Sequence, residues 1–416
     1  MEFDVNGGFP LRRLAVVSLH GCPLVTPGAR SAGGMSVYLR QVAWRLARQG
    51  VCVDIFTRSH QAGGPELPEA GERVRVIHLP GGAAELDKEE VVPYLPDLYA
   101  GMRSFALAHG LGYDLVHSHY WLSGWAGERL ARDLGVPHVA TFHTLALVKE
   151  SAYEERESEE RKQAEAAMAS ADRVVVFTEE ERGHMERLYG IHPERVSVAP
   201  SGVDLDRFRP GGKAAARRRT GLDPDTKTIL YVGRLEPFKG PDVLVRALAA
   251  IPKAALVVAG GGPVDEGAWW LRRVAEEAGV SERVVWRDAM PQERLPDYYV
   301  AADLLAVPSR HESFGHAALE AMACGTPVVA ADAGGLREVV ANGVTGRLVA
   351  GHDPADYAAA LTELLRDDER RAQMGAEAPA WARRFGWERA CADLRAAYGQ
   401  ALARWGQRAV VQPCVG

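Results

Sequence analysis

At 416 residues the chain is too long for one ordinary core, and its 49 basic against 55 acidic side chains, a formal net charge of −6, leave no positive excess for a nucleic-acid surface. A hydrophobic content of 47% and a charged content of 25% are those of an ordinary globular protein, and no run of about 18 apolar residues offers a membrane span. Five scattered cysteines without CxxC spacing and a start without a charged-then-apolar signal read as reduced thiols in a cytoplasmic protein. The partners expected are small-molecule substrates, with no nucleic acid and no integral membrane segment, for a monomer or homodimer.

Apolar runs alternate with helical stretches from the start. A strand over 14–19 leads into a loop rich in Gly and Pro from His20 to Gly34. The next helix presents Val37, Leu39, Val42, Leu46 and Ala47 on one face and ends at Gly50. Further strands are expected at 51–56, 74–79, 115–119, 137–143 and 173–177, a doubly wound set. Between residues 200 and 224 the pattern lapses into Ser-Gly, Arg-Pro-Gly-Gly and the basic run Arg217-Arg-Arg219, which reads as a linker and domain boundary. Strands resume at 227–232, 255–259, 284–286 and 304–307. Pro308 and Ser309 break the last of these, a helix begins near residues 314–315, Gly325 and Pro327 stop it, and another strand covers 327–331. The expected fold class is α/β, with two doubly wound parallel sheets in tandem over 1–203 and 204–387. Ligand crevices in such sheets open at the carboxyl ends of the strands.

The loops at those ends carry the chemistry. Glu312 stands before the helix and Glu320 within it, and between them the N–H groups of Gly315 and His316 lie at the positive end of the helix dipole, where an anion binds readily. Two carboxylates flanking an anion site suit a sugar nucleotide; alternatively Glu312 caps the helix and Glu320 is a solvated acid. Val232-Gly-Arg-Leu-Glu-Pro-Phe-Lys-Gly240 follows a strand, and Arg234 and Lys239 there match a pyrophosphate, unless the loop is only a solvated surface turn. Ala259-Gly-Gly-Gly-Pro263 is a weaker candidate for a phosphate loop. In Ser31-Ala-Gly-Gly-Met-Ser-Val-Tyr38, the N–H groups of Gly33 and Gly34 can face an anion or simply pack a helix on its sheet. His117-Ser-His-Tyr-Trp-Leu-Ser-Gly124 and Thr141-Phe-His-Thr144 put histidines at strand ends, where they are structural or catalytic.

Glu312-Ser-Phe-Gly-His-Ala-Ala-Leu-Glu320, followed by Ala-Met-Ala-Cys-Gly-Thr-Pro-Val-Val, resembles the signature of family-4 retaining glycosyltransferases, which have the GT-B fold. That resemblance extends from Leu14 to about Tyr398 through the other motifs in order. It implies that Arg234 and Lys239 hold and stabilise the departing donor diphosphate, with Gly33, Gly34, Gly233, Gly261, Ser313, Phe314, Gly315 and His316 around the donor. Glu312 would hold donor-sugar hydroxyls and Glu320 the ribose diol. It further implies that the C-terminal helices, about 388–416 and with Trp381, Trp387 and Tyr398 among their aromatics, cross back to the first domain.

The stretch from Asp114 to Gly124 is similar to that of sucrose-phosphate synthases and of the enzyme that joins N-acetylglucosamine to inositol phosphate in mycothiol synthesis. By that likeness His143 lies beside the transferred sugar, and Tyr120 and Thr144 line the acceptor pocket. Leu86-Asp-Lys-Glu-Glu-Val-Val-Pro-Tyr-Leu95 and Glu160-Arg-Lys…Glu165 are similar to segments that supply cations in both relatives, which makes Lys88 and Arg161 the candidates for an acceptor phosphate. Arg161 otherwise reads as part of a solvated, charge-dense helix face. The inositol-phosphate enzyme has Asn where this chain has Ser36, and a hydroxyl does not replace both the donor and the acceptor of an amide. The expected activity is transfer of a hexose, glucose or N-acetylglucosamine, from a nucleotide-diphosphate sugar, UDP by expectation, to a hydroxyl of a sugar phosphate or cyclitol. No cofactor and no metal are expected, since no Asp-x-Asp motif stands in the strand-end loops quoted above. A glycoside hydrolase using Glu312 and Glu320 and a sugar-nucleotide epimerase are the rivals.

Overall fold

The computed structural model describes residues 11–25, 33–59, 68–83, 86–153, 156–262 and 265–411. Ser31, Pro263 and Cys414 lie outside them. The chain divides into two compact units, residues 1–25, 35–200 and 390–416 in the first and 26–34 and 201–389 in the second.

The first unit holds strands β1 (Arg13–Val17), β2 (Cys52–Arg58), β3 (Val74–Leu79), β4 (Leu115–His119), β5 (His138–Thr141), β6 (Arg173–Val176) and β7 (Val196–Val198). They form one parallel sheet in the order β3-β2-β1-β4-β5-β6-β7, with Leu14 opposite both Val53 and Leu115. Every residue of β4, β5 and β6 is buried, as expected where helices cover both faces of a parallel sheet. The helix Gly34–Arg48 buries Val37, Leu39, Val42, Ala43, Leu46 and Ala47, recurring at helical spacing. Arg45 and Arg48 fall in its last turn, where they suit the negative end of the dipole. Burial of each larger aliphatic of this kind stabilises by about 1.5–3 kcal/mol.

The second unit holds β8 (Lys227–Val232), β9 (Ala254–Ala259), β10 (Val284–Arg287), β11 (Leu304–Val307), β12 (Val328–Ala331) and β13 (Gly346–Val349), parallel in the order β10-β9-β8-β11-β12-β13. In each unit the order reverses once, between β1 and β4 in the first and between β8 and β11 in the second. Ligands of open α/β sheets settle outside the carboxyl ends of strands at such a point.

Two expectations are corrected. The basic run Arg217-Arg-Arg219 is no linker: Lys213–Thr220 is a helix, made of good helix formers and stopped by Gly221 in the left-handed conformation. Arg217 is buried there, donating to Asp303 at 2.9 Å and to the carbonyls of Ala301 and Asp223, while Lys213 reaches the same Asp303 at 2.6 Å. The chain passes between units at residues 200 and 201, ahead of that helix. It returns inside the long helix Trp387–Val411, so Trp381 and Trp387 stay with the second unit and Tyr398 belongs to the first. Strands β7 and β13 had no expectation to match. Among the described residues Cys22, Cys52, Cys324 and Cys391 form no disulfide, and no helix is long and apolar enough to cross a membrane.

Candidate active site

In the second unit the carboxyl ends of β8 and β11, neighbours at the reversal, carry the two charged loops. Main-chain contacts lock these loops together. Arg310 N–H donates to the Phe238 carbonyl at 2.9 Å, and a Cβ on Gly240, whose φ is +67°, would collide with the Pro308 carbonyl. Lys239 Nζ thereby meets the Glu312 carboxylate at 2.6 Å, both side chains about one-fifth exposed. Glu312 sits below the usual carboxylate range: burial pushes it up, and Lys239, Ser309 and His311 outweigh that. It does not cap the following helix. Its main-chain carbonyl instead accepts from Gly335 N–H at 2.7 Å, and a Cβ at Gly335 would meet Phe314 and Ser313. Arg234, 47% exposed, pairs with Glu236 at 2.7 Å.

The helix His316–Ala323 starts behind Gly315, at φ +102°, and has no acidic residue in its first turn, so its dipole end is uncompensated from within the helix. His316 accepts or donates to Ser201 Oγ at 2.8 Å, and burial lowers its pKa to about 4, keeping the ring neutral. Glu320 is not a solvated acid. It is 8% exposed and accepts from Gln292 Nε2 at 3.1 Å and Tyr299 Oη at 2.8 Å, and burial raises it to about 7 against those two bonds. Gly233 N–H donates to Ala259, and Gly261, at φ +68°, accepts from Ala289 N–H at 2.8 Å, so both belong to the strand-end framework.

In the first unit β4 and β5 end in two residues with positive φ, Tyr120 at 73° and His143 at 63°. Such backbone costs a non-glycine residue about 1–3 kcal/mol and collects at functional sites. Tyr120 N–H donates to the Thr141 carbonyl at 2.9 Å, which holds the two turns side by side. His143 Nε2 lies 3.0 Å from His119 Nδ1, so one ring donates and the other accepts. His119 is 2% exposed, and burial with the neighbouring histidines holds it well below the usual histidine value. His117 is structural: Nδ1 meets Tyr398 Oη at 2.7 Å and Nε2 meets Thr141 Oγ1 at 3.0 Å.

Arg161 is 1% exposed, not part of a solvated face. It donates to Glu165 at 2.7 Å, Glu157 at 2.9 Å, and the Thr144 hydroxyl and carbonyl at 2.9 and 3.3 Å, and its guanidinium lies 5.3 Å from the Tyr120 ring centre. Lys88 is 3.5 Å from Glu89 and is held above the usual lysine value: burial opposes this, and Tyr120, Glu89 and Glu157 overcome it. Thr144, Tyr120, Arg161 and Lys88 thus come together. Ser36 is 2% exposed, and its hydroxyl has no hydrogen-bond partner among the described residues. Gly33 and Gly34 stand at the start of the helix Gly34–Arg48, and a Cβ at Gly33 meets no described atom within 4 Å. The sequence did not single out Gln292, Tyr299, Lys149, Glu157 or Glu165, and it left His119 between a structural and a catalytic role. The Glu157, Arg161, Glu165 spacing of four was the available signal for the two glutamates.

Residues 32–207 match Glycosyltransferase Family 4, and residues 212–381 match Glycosyl transferases group 1. Along 94% of its length the chain is 44% identical to a D-inositol 3-phosphate glycosyltransferase of Xylanimonas cellulosilytica, covering 97% of that protein. The chain belongs to glycosyltransferase family 4. A D-inositol 3-phosphate glycosyltransferase of Corynebacterium glutamicum is likewise 44% identical, with 94% and 97% of the two chains covered. Among solved structures, the sucrose-phosphate synthase of Thermosynechococcus elongatus is 33% identical, with a TM-score of 0.88 over 94% of this chain and 100% of that one. The two parallel-sheet units are therefore the Rossmann-like halves of a GT-B glycosyltransferase, and the loops just described belong to an enzyme of that class.

Proposed function

We propose that this glycosyltransferase moves a hexose, with retention, from a UDP-linked donor to a hydroxyl of a phosphorylated cyclitol or sugar. The observation that carries the donor side is the 2.6 Å pair of Lys239 and Glu312 at the reversal of the second sheet, next to an uncompensated helix start. Lys239, Arg234 and the N–H groups at Gly315 and His316 supply positive charge for a leaving β-phosphate, the largest lever available to this reaction. Glu312 accepts from donor-sugar hydroxyls once Lys239 turns to the diphosphate, and Glu320 accepts from the ribose. The described residues present no obvious covalent nucleophile in these loops. Attack by the acceptor hydroxyl on the face that the diphosphate leaves accounts for retention, with the departing phosphate oxygen taking the acceptor proton.

On the acceptor side, Arg161 and Lys88 with Thr144 and Tyr120 suit a phosphate, and the relatives' names carry a phosphorylated cyclitol or sugar. D-inositol 3-phosphate therefore heads the acceptors to test. Ser36, offering one hydroxyl, is the reason to test other sugar phosphates and unphosphorylated cyclitols beside it.

UDP-, ADP- and GDP-hexoses are ranked by thermal shift, and the best donor is then assayed with each acceptor in EDTA-containing buffer. The expected result is a glycosylated phosphate ester of retained configuration. Rapid release of free sugar without acceptor would make the chain a hydrolase. Interconversion of the donor alone would make it an epimerase.

A further inference from the structure

The inference rests on the acceptor being phosphorylated and concerns what occupies its anion subsite beforehand. Arg161 is a guanidinium whose Nε is committed to Glu165 and whose NH2 group is committed to Thr144. Glu165 is fixed in turn: it is 1% exposed, accepts from Ala146 N–H at 2.9 Å, and also accepts from Tyr189 Oη. The remaining NH1 group donates to Glu157 at 2.9 Å, and the other oxygen of Glu157 pairs with Lys149. Glu157 differs from Glu165 in its setting. It lies in the loop before the helix Glu159–Met168, its side chain 11% exposed, and is tethered by its own N–H to Glu150 at 2.9 Å. Its carboxyl sits below the usual range: burial pushes it up, and Lys149, Arg161 and Lys88 outweigh that.

Two cations, Lys149 and Arg161, thus bond one carboxylate that lies in a loop, and Lys88 adds positive charge from farther off. A carboxylate presents the same paired oxygens to a guanidinium and an ammonium as a phosphate does, with one negative charge in place of about two. A buried arginine left half-paired would be costly, which gives the loop a reason to supply this group when no substrate is bound.

We propose that Glu157 is a placeholder for the acceptor's phosphate, released from Arg161 and Lys149 when that phosphate binds, and that Lys149 is a further phosphate ligand. Exchange of a monoanion for a dianion favours phosphorylated acceptors. A neutral acceptor has no charge with which to displace Glu157, so the same carboxylate discriminates against it.

The test is Glu157→Gln, which keeps the shape and removes the charge that must be displaced. The KM for the phosphorylated acceptor and the inhibition constant of inorganic phosphate, competitive with acceptor, should both fall about tenfold. The kcat and the donor KM should stay unchanged, and Lys149→Ala should raise both acceptor-side constants. An acceptor KM that is unchanged or raised in Glu157→Gln overturns the proposal, since Glu157 would then only orient Arg161. Wild-type crystals soaked in phosphate give a readout independent of any variant. The ion should sit on Arg161 and Lys149 with Glu157 turned away, and phosphate bound elsewhere with Glu157 in place overturns the proposal. Wild-type enzyme that phosphate does not inhibit and that prefers unphosphorylated acceptors overturns the underlying reading of the subsite itself.

Discussion

Both units hold cations to which the proposed function gives a phosphate, and they hold them at different depths. In the second unit Arg234, 47% exposed, and Lys239, 20% exposed, each pair with one glutamate at a strand-end loop, the first in an exposed pair and the second in a partly buried one. In the first, Arg161 is 1% exposed and anchored by Glu165, itself 1% exposed. An exposed pair contributes little to stability and is easily re-formed with a new partner. A buried pair is part of the fold, and breaking it leaves a charge with no water to solvate it. Equal charge therefore predicts unequal effects: replacing the second unit's cations should cost mainly rate, while replacing the first unit's arginine should cost rate and structure together.

The most severe way to break that contrast is Arg161→Ala. It should destabilise the protein by about 3–5 kcal/mol in denaturant unfolding, through the stranded Glu165, as well as abolishing selectivity for phosphorylated acceptors. A fully stable variant would mean that burial here carries no structural load. Lys239→Ala should follow, lowering kcat about 10²- to 10³-fold with a smaller loss of stability than Arg161→Ala, since it strands the partly buried Glu312, and Arg234→Ala, on an exposed pair, should lower kcat while leaving the unfolding midpoint within experimental spread. Loss of folding in place of rate would erase the distinction between the units.

The smallest effect sharpens it through pH. Glu320 is raised to about 7 from an ordinary 4.5, so between those values the native state holds more protons than the unfolded one. Its contribution to stability falls as pH rises through that window and levels off above about 7. Nucleotide affinity should move the opposite way, rising as the carboxylate forms, and calorimetry across pH 5.5–8.5 should show both slopes flattened in Glu320→Gln.

The segment from β11 to β12 was the most legible part of the chain, because its signals are local. A buried apolar run, a strand-breaking Pro308, helix formers and Gly325 follow one another within two dozen residues, and the helix begins at His316 behind Gly315. Nothing local announced the burial of Glu320, because Gln292 and Tyr299 lie 28 and 21 residues upstream and reach it only in the folded sheet. Arg161 was obscured in the opposite way. It lies among so many charges that a solvated face was the simplest reading, and only Thr144, from the end of another strand, shows which way it points. The stretch Lys-Ala-Ala-Ala-Arg-Arg-Arg-Thr was mistaken for a linker because its basic residues drew attention from its helix propensity.

The closing helix Trp387–Val411 limits how this enzyme can be cut or recombined. Tyr398 completes the hydrogen bonding of His117, Arg395 reaches Gln49 at 2.8 Å, and Gln400 accepts from Ser197 at 3.2 Å. Residues 11–200 expressed alone would therefore carry a buried imidazole short of its tyrosine. A hybrid spliced from two homologues must take residues 390–411 from the parent that supplied residues 35–200, so the exchangeable cassette is 201–389 and not everything after residue 200.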